Sequence, residues 1–229
     1  MPSRPTAETA LKQKRFELLV FDWDGTLTDS SDLIIASMQL ACVDLGLPVP
    51  DAQQVRHIIG LGFNEALAHL LPELPASDYP QLKDRYRYHF FSRDEPVPVF
   101  SGAIETIQKL HDAGFLLAVA TGKSRRGLNR DFQETGLGLY FHASRCADEC
   151  FSKPHPGMLF ELIEELHVDA GKTLMIGDTT HDLQMAQSAG VASLAVSYGA
   201  HSKEKLLAMS PLACVNDTLE LQQWLKTHA

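Results

Sequence analysis

The fold is decided by the run Phe16-Glu17-Leu18-Leu19-Val20-Phe21-Asp22-Trp23-Asp24-Gly25-Thr26-Leu27-Thr28-Asp29-Ser30, in which a short apolar segment ends at two aspartates. A continuous apolar segment of this length, followed by Gly and polar residues, predicts a strand covered on both faces, as in a parallel sheet flanked by helices. Ligands of such sheets bind at the carboxyl ends of the strands. The two aspartates therefore lie where a binding site is expected.

The spacing of Asp22 and Asp24 predicts that both carboxylates enter one pocket, because residues i and i+2 of an extended segment point the same way. Two ionised carboxylates in one pocket repel each other. Either a cation sits between them or one of them holds a proton, and both arrangements are chemically useful. Gly25 then allows a backbone conformation that other residues avoid and a close approach to a ligand.

Composition limits the class of protein. The 229 residues are 45% hydrophobic, enough for one good core and a smaller attachment. The formal charge of −9 and the pI near 5.5 exclude a nucleic-acid surface. No apolar run approaches the ~20 residues of a membrane span, and the first residues lack the apolar stretch of a secretory signal. We therefore expect a cytoplasmic protein with neither a nucleic-acid nor a membrane partner.

The order of helix and strand patterns predicts an interrupted α/β domain. Residues 1–15 are expected to be a flexible lead-in. Apolar strand patterns then alternate with helix patterns, which implies right-handed crossovers and a Rossmann-like parallel sheet with helices on both faces. These later strand patterns are Phe115–Ala120, Ala143–Cys146, Thr173–Ile176 and Val191–Val196.

Residues 32–97 break this alternation, because helix patterns follow one another there without a strand. The sequence therefore predicts a core domain of residues 16–31 and 98–229 with a helical cap domain, residues 32–97, inserted after the first strand. An insertion at the carboxyl end of a strand lies above the binding edge and is suited to act as a lid.

Polar groups follow each of these strands in turn. Thr121-Gly122 follows the second, Lys153 lies in the loop before Pro154, and Gly177-Asp178 with Asp182 follows the fourth. Carboxylates suit Mg²⁺, while a hydroxyl, backbone N–H groups and a lysine suit phosphoryl oxygens. The neighbouring Thr121-Gly122-Lys123-Ser124 is not a P-loop, because Leu117 stands where that motif needs its first glycine.

These motifs resemble those of the haloacid dehalogenase superfamily from Leu18 onward, with the helical insert where that superfamily has its first-type cap. Within it, the chain is most similar to the phosphoglycolate phosphatase-like hydrolases. Trp23 departs from the pattern, since related sequences often have a smaller apolar residue there. The four motifs are Asp22-x-Asp24-Gly25-Thr26-Leu27, Thr121-Gly122, Lys153-Pro154 and Gly177-Asp178-x-x-x-Asp182.

The resemblance implies a phosphatase with an aspartyl-phosphate intermediate. Asp22 would attack phosphorus, and Asp24 would protonate the leaving alkoxide and then take a proton from water. Thr121, Gly122 and Lys153 would bind the transferring phosphoryl group, with the backbone of Gly25 close by.

The resemblance also implies a magnesium site. Its ligands would be Asp22, the backbone carbonyl of Asp24 and Asp178, with Asp182 supporting through water or an indirect contact.

Asp24 argues against dehalogenation, because the dehalogenases of the superfamily lack an acid at that position and a halide leaves without a proton. Two alternatives remain. A phosphosugar mutase keeps both aspartates and needs a bisphosphate, whereas a non-enzymatic phospho-acceptor module would lack a large helical lid.

Substrate choice is expected to reside in the cap, and the best guess for the substrate is 2-phosphoglycolate. The cap loop Gly60-Leu61-Gly62-Phe63 resembles loops that descend over the substrate in these phosphatases. Arg56, His57, Arg125 and Arg126 are candidates to meet a substrate carboxylate. We expect a monomer or homodimer whose partner is a small phosphorylated metabolite.

Overall fold

The computed structural model describes residues 14–92 and 96–229, so the expected lead-in lies outside the described residues except for Lys14 and Arg15. The strands are β1 (Leu18–Phe21), β2 (Leu116–Thr121), β3 (Ala143–Cys146), β4 (Thr173–Gly177), β5 (Ala192–Val196) and β6 (Cys214–Val215). They form one six-stranded parallel sheet in the order β3-β2-β1-β4-β5-β6. The predicted parallel sheet is confirmed.

The strand β1 lies inside the sheet, as its unbroken apolar sequence predicts. Its four residues are buried and pair in register with Leu116–Val119 on one side and Thr173–Ile176 on the other. Phe21 belongs to the apolar cluster on one face, and Val20 belongs to the cluster on the opposite face. The chain therefore leaves β1 at the middle of the carboxyl edge.

Helices cover both faces of the sheet. The helices are α1 (Ser31–Asp44), α2 (Ala52–Ile58), α3 (Phe63–Leu70), α4 (Tyr79–Phe91), α5 (Ala103–Asp112), α6 (Arg125–Thr135), α7 (Gly157–Leu166), α8 (Thr180–Ser188), α9 (Lys203–Ala208) and α10 (Thr218–His228). Residues of α5, α6 and α10 pack in one cluster, and residues of α7 and α8 pack in the other. None of the helices in residues 14–92 and 96–229 combines the length and the apolarity needed to span a bilayer.

The helices α1 to α4 pack around an apolar core of their own. Its fully buried centre includes Met38, Val55, Leu67 and Leu82, and all its buried members lie between residues 34 and 97 except Ala200. This separate core is consistent with an inserted cap domain. The boundaries of that domain at residues 32 and 97 stay a prediction. The name cap is used below for α1 to α4 and their connections.

Four helices and strands show features that the sequence patterns did not predict. Strand β6 and helix α9 were not predicted, because two and six residues are too short to show a clear period. Helix α3 begins at Phe63, with Gly62 at its N-cap and no side-chain cap. A 3-10 turn, Ala76–Asp78, precedes α4, so that helix starts at Tyr79.

Candidate active site

The carboxyl edge of the sheet brings the predicted acidic residues together. Asp22 follows β1, Asp178 follows β4, and Asp182 lies in the first turn of α8. Carboxylate oxygens of these three residues lie within 4.8 Å of one another, and all three side chains are buried. The convergence follows from the sheet order, because β1 and β4 are neighbours.

Lys153 is the cation at this acidic cluster. Its ammonium lies 2.7 Å from Oδ1 of Asp22 and 2.6 Å from Oδ1 of Asp182, and the side chain is inaccessible to solvent. Burial lowers the pKa of Lys153, but the attraction of Asp182 and Asp22 outweighs it and raises the pKa above its usual range. Lys153 is therefore charged at every pH at which the protein would be used.

Asp178 and Asp182 are held by short hydrogen bonds. Asp178 accepts one from the hydroxyl of Thr26 at 2.9 Å and one from the N–H of Ala200 at 2.7 Å. Oδ2 of Asp182 accepts from the hydroxyl and the N–H of Thr179. The N–H of Asp182 donates to the Thr179 hydroxyl in return, which completes a capping box at the start of α8. Both carboxylates are thus fixed before any ligand arrives.

The carboxylate of Asp22 accepts fewer hydrogen bonds than those of Asp178 and Asp182. Its Oδ2 accepts no hydrogen bond from the described residues, and Oδ1 is held only through the ion pair with Lys153. Burial raises the pKa of Asp22 well above its usual range, although Lys153 opposes this. Burial and the charge of Asp182 likewise raise the pKa of Asp178 to about 7.

The cluster has the features of a divalent-cation site. Three buried carboxylates face one ammonium, so the charge is balanced only if protons or a cation are added. An all-oxygen donor set with a free lone pair on Asp22 suits Mg²⁺. The residues present therefore fit the metal that the motifs predict.

Gly25 allows the chain to turn tightly past Asp178. Its φ is +81°, and a Cβ at this position would lie 2.2 Å from Oδ2 of Asp178. A side chain at residue 25 would therefore displace a carboxylate of the acidic cluster.

Asp24 points away from that cluster into a second buried network. Its carboxylate accepts a hydrogen bond from Ser30 at 2.7 Å and from the ammonium of Lys123 at 3.0 Å. Lys123 also lies 3.1 Å from Asp131, which accepts a hydrogen bond from the indole of Trp23 at 2.8 Å. This arrangement explains Trp23, whose ring fills the space between β1 and α6 and supplies a donor to the network.

Sequence reasoning missed Lys123 as a site residue. Burial lowers the pKa of Lys123, and the charges of Asp24 and Asp131 outweigh burial and raise it. The sequence feature that could have identified Lys123 is its position two residues after Thr121, at the carboxyl end of a strand. That position was considered only as part of a P-loop.

The predicted phosphate residues Thr121 and Gly122 end β2 and lie under the cap loop. Thr121 is buried, and its hydroxyl accepts a hydrogen bond from the N–H of Lys123 at 3.1 Å. The backbone carbonyls of Gly60 and Leu61 come so close to Gly122 that a Cβ there would lie within 2.6 Å of both oxygens. The N–H of Gly62 donates to Ser152 at 2.6 Å. The loop thus lies directly on the strand ends.

A histidine contact also joins the cap to the core and was not predicted. The N–H of Thr180 donates to Nδ1 of His201, so Nε2 carries the proton and donates to the carbonyl of His57 at 3.1 Å. His181 reaches the same carbonyl at 3.0 Å. Burial lowers the pKa of His201 to about 4 and also lowers that of His181. Both rings are neutral near pH 7.

A cavity of about 210 Å³ lies between cap and core. Asp22, Asp24 and Thr121 line it from the strand ends, and α1, α3 and α4 line it from the cap. The three arginine candidates do not line it. Arg56 pairs with Asp32, Arg125 pairs with Glu149, and Arg126 is exposed.

Comparison with known proteins agrees with this geometry. A profile of the haloacid dehalogenase-like hydrolases matches residues 19–196. The chain is 35% identical to the probable phosphatase IndB of Dickeya dadantii over 210 residues, covering 89% of this chain and 91% of that protein. It is 31% identical to a phosphoglycolate phosphatase of Vibrio parahaemolyticus, with coverage of 88% and 92%.

Among solved structures, a predicted phosphatase from Clostridium acetobutylicum superposes with a TM-score of 0.82 and 25% identity. The match covers 93% of this chain and 99% of that one. The chain therefore belongs to the haloacid dehalogenase-like hydrolase family, as its four strand-end motifs predicted.

Proposed function

We propose that the protein is a Mg²⁺-dependent phosphatase that hydrolyses a small phosphomonoester through an aspartyl-phosphate intermediate. The observation that carries the proposal is the state of Asp22. It is a buried carboxylate beside Lys153, with one oxygen that accepts no hydrogen bond from the described residues, at the floor of a cavity. Burying such a group is costly, and a nucleophile needs that free oxygen.

In the first step a carboxylate oxygen of Asp22 forms a bond to phosphorus, and the bond from phosphorus to the ester oxygen breaks. The leaving alkoxide takes a proton from the carboxyl group of Asp24. Lys153, the hydroxyl of Thr121 and the N–H of Gly122 stabilise the charge on the phosphoryl oxygens.

In the second step Asp24 accepts a proton from water as the water oxygen bonds to phosphorus. The bond from phosphorus to the Asp22 oxygen breaks, which releases phosphate and restores the carboxylate. Ser30 and Lys123 fix the Asp24 side chain in the cavity for both proton transfers.

Asp22, the backbone carbonyl of Asp24 and Asp178 would hold Mg²⁺, with Asp182 supporting. When bound, Mg²⁺ supplies positive charge to the phosphoryl oxygens. The fit of the buried acidic cluster to an oxygen-preferring cation supports this part of the proposal.

The substrate is a small phosphorylated metabolite, and our best candidate is 2-phosphoglycolate. The cavity between cap and core is small, about 210 Å³. That is room for a phosphate and a leaving group of a few heavy atoms. The phosphoglycolate phosphatase of Vibrio parahaemolyticus, similar along most of both chains, supports the same choice.

The test is phosphate release from a panel of phosphorylated metabolites, with Mg²⁺ and with a chelator. The panel contains 2-phosphoglycolate, sugar phosphates, nucleoside monophosphates and pyrophosphate. We expect selective release that the chelator abolishes. If no phosphate is released but a sugar phosphate isomerises when a bisphosphate is supplied, the protein is a mutase instead. Activity in neither assay would favour a phospho-acceptor module.

A further inference from the structure

Two basic side chains of α4 line the cavity without an ion-pair partner among the described residues. Lys83 and Arg87 are one helical turn apart, so they lie on the same side of the helix, and both are half-buried. Within residues 14–92 and 96–229, no carboxylate forms an ion pair with either. The ammonium of Lys83 lies over the ring of Phe63, 5.6 Å from its centroid.

The other basic side chains around the cavity are neutralised. Arg85, on the same helix, pairs with Asp44 and does not line the cavity. Lys123 pairs with Asp24 and Asp131, and Lys153 pairs with Asp22 and Asp182. Among the described residues that line the cavity, Lys83 and Arg87 are thus the basic side chains not paired with an acid, and they are available to an anionic ligand.

Two acids also line the cavity away from its floor. Asp148 accepts a hydrogen bond from the N–H of Arg125, which holds its carboxylate at the start of α6. Glu65 is exposed, beside Gly62 at the start of α3. Neither acid lies within ion-pair distance of Lys83 or Arg87, so neither acid balances the charge of these two side chains.

The transferring phosphate does not account for these cations. Its binding groups are Thr121, Gly122 and Lys153 at the strand ends, whereas Lys83 and Arg87 belong to the cap. A group of the substrate that reaches α4 is part of the leaving alcohol.

We propose that Lys83 and Arg87 bind a second anionic group, a carboxylate or a second phosphate, on the leaving alcohol of the substrate. This inference rests on the proposed phosphatase function and identifies the residues that set its specificity. Arginine offers paired N–H donors that match a carboxylate or phosphate, and lysine adds a point charge. Ile34, Met38 and Phe91 line the same cavity, and apolar walls of this kind lower the local dielectric and strengthen charged hydrogen bonds.

The experiment compares three esters that differ at one group. These are 2-phosphoglycolate, which carries a carboxylate, 1,2-ethanediol bisphosphate, which carries a second phosphate, and 2-hydroxyethyl phosphate, which carries a neutral hydroxyl. Each is assayed for phosphate release with the wild type, Lys83→Gln, Arg87→Gln and the control Arg85→Gln, which removes a cation from the same helix outside the cavity.

We expect the wild type to prefer an anionic ester, and the better of the two identifies the second anion. Each cavity variant lowers kcat/KM for that ester by about 10- to 100-fold, mainly through KM, because a charged hydrogen bond is lost. The rate on 2-hydroxyethyl phosphate stays within about two-fold, as does every rate of Arg85→Gln. The neutral ester also reports folding, since a misfolded variant would lose it too.

The inference is overturned if the wild type hydrolyses the neutral ester as well as the anionic ones, or if the cavity variants slow all three esters equally. Release from none of the three esters or of the wider panel would overturn the phosphatase proposal itself and this inference with it. The two failures are therefore distinguishable.

Discussion

Asp22 combines two properties that protein interiors avoid. It is a carboxylate with 1% exposure, and its Oδ2 has no hydrogen-bond donor among the described residues. Buried polar atoms are usually paired because leaving one unpaired costs about 1–3 kcal/mol. Asp178 and Asp182 accept hydrogen bonds at both of their oxygens or lie beside Lys153, so within the acidic cluster this cost falls on the proposed nucleophile.

Replacing Asp22 by Asn tests its role directly. An amide cannot form the acyl phosphate, so we expect kcat for phosphate release to fall by about 10⁴-fold or more. The fold is expected to remain, because the amide has nearly the same shape. The exposed Asp29→Asn makes the same charge change a few residues away and is expected to keep full activity. Wild-type release by Asp22→Asn, with far-UV circular dichroism unchanged, would show that the nucleophile is another residue.

The sequence reveals some of these residues and conceals others for a physical reason. Asp22, Thr121 and Asp178 are visible because each directly follows an apolar strand, and the ends of parallel strands meet. The pair of Lys123 with Asp24 spans 99 residues, and the bond from Trp23 to Asp131 spans 108. They depend on how the loop after β2 and the helix α6 are placed against the sheet, which no local pattern encodes.

Trp23→Phe is expected to lower the free energy of unfolding. The variant keeps an aromatic ring at a fully buried position but removes the donor to Asp131, leaving a buried carboxylate short of a hydrogen bond at a cost of about 1–3 kcal/mol. Urea denaturation measures the change. Trp224→Phe on α10 is the control, since that ring is only partly buried and lies outside this network. Equal losses in the two variants would mean that the indole hydrogen bond contributes nothing.

At the scale of elements, the cap loop is positioned by contacts with several strand ends. The carbonyls of Gly60 and Leu61 pack against Gly122, which follows β2. The N–H of Gly62 donates a hydrogen bond to the hydroxyl of Ser152, which follows β3. His201 after β5 binds the carbonyl of His57 at the end of α2. The loop that was predicted to cover the substrate is therefore held by backbone groups, whose positions a sequence pattern does not show.

Gly122→Ala is expected to displace this loop without unfolding the core. The added Cβ would lie 2.5 Å from a backbone oxygen of Leu61, so the loop must shift. A displacement of about 1 Å at a reacting site can cost roughly 100-fold in rate, and we expect kcat/KM to fall by about 10- to 100-fold.

Gly171→Ala is the matched control for this variant, since a Cβ there meets open space. Hydrogen exchange across residues 59–63 is expected to quicken in Gly122→Ala and to stay at the wild-type rate in Gly171→Ala. If Gly122→Ala retained both full activity and wild-type exchange, the close contact would be irrelevant to the site.

For the whole molecule, charge balance ties stability to pH and to metal. Burial, together with the charge of Asp182, raises the pKa of Asp178 from 3.8 to about 7, so between these values the folded protein holds a proton that the unfolded chain has released. Rising pH therefore removes up to about 4 kcal/mol of stability through this group, at about 1.4 kcal/mol per pKa unit. His201, whose pKa is lowered to about 4, acts in the opposite sense below its ordinary value of 6.5.

The last prediction isolates Asp178 from this background. We expect the gain in Tm on adding Mg²⁺ to chelator-treated protein to be larger near pH 8 than near pH 5, because at the lower pH a proton already neutralises the cluster. Asp178→Asn removes one titrating carboxylate of the cluster, so without metal its Tm relative to the wild type is expected to rise with pH from about 4 to 7. His201 contributes equally to both proteins and cancels in that difference. Thermal melts monitored by circular dichroism measure both effects. A Mg²⁺ gain that is the same at both pH values, or a difference between the two proteins that does not change with pH, would show that the acidic cluster is not the source of the dependence.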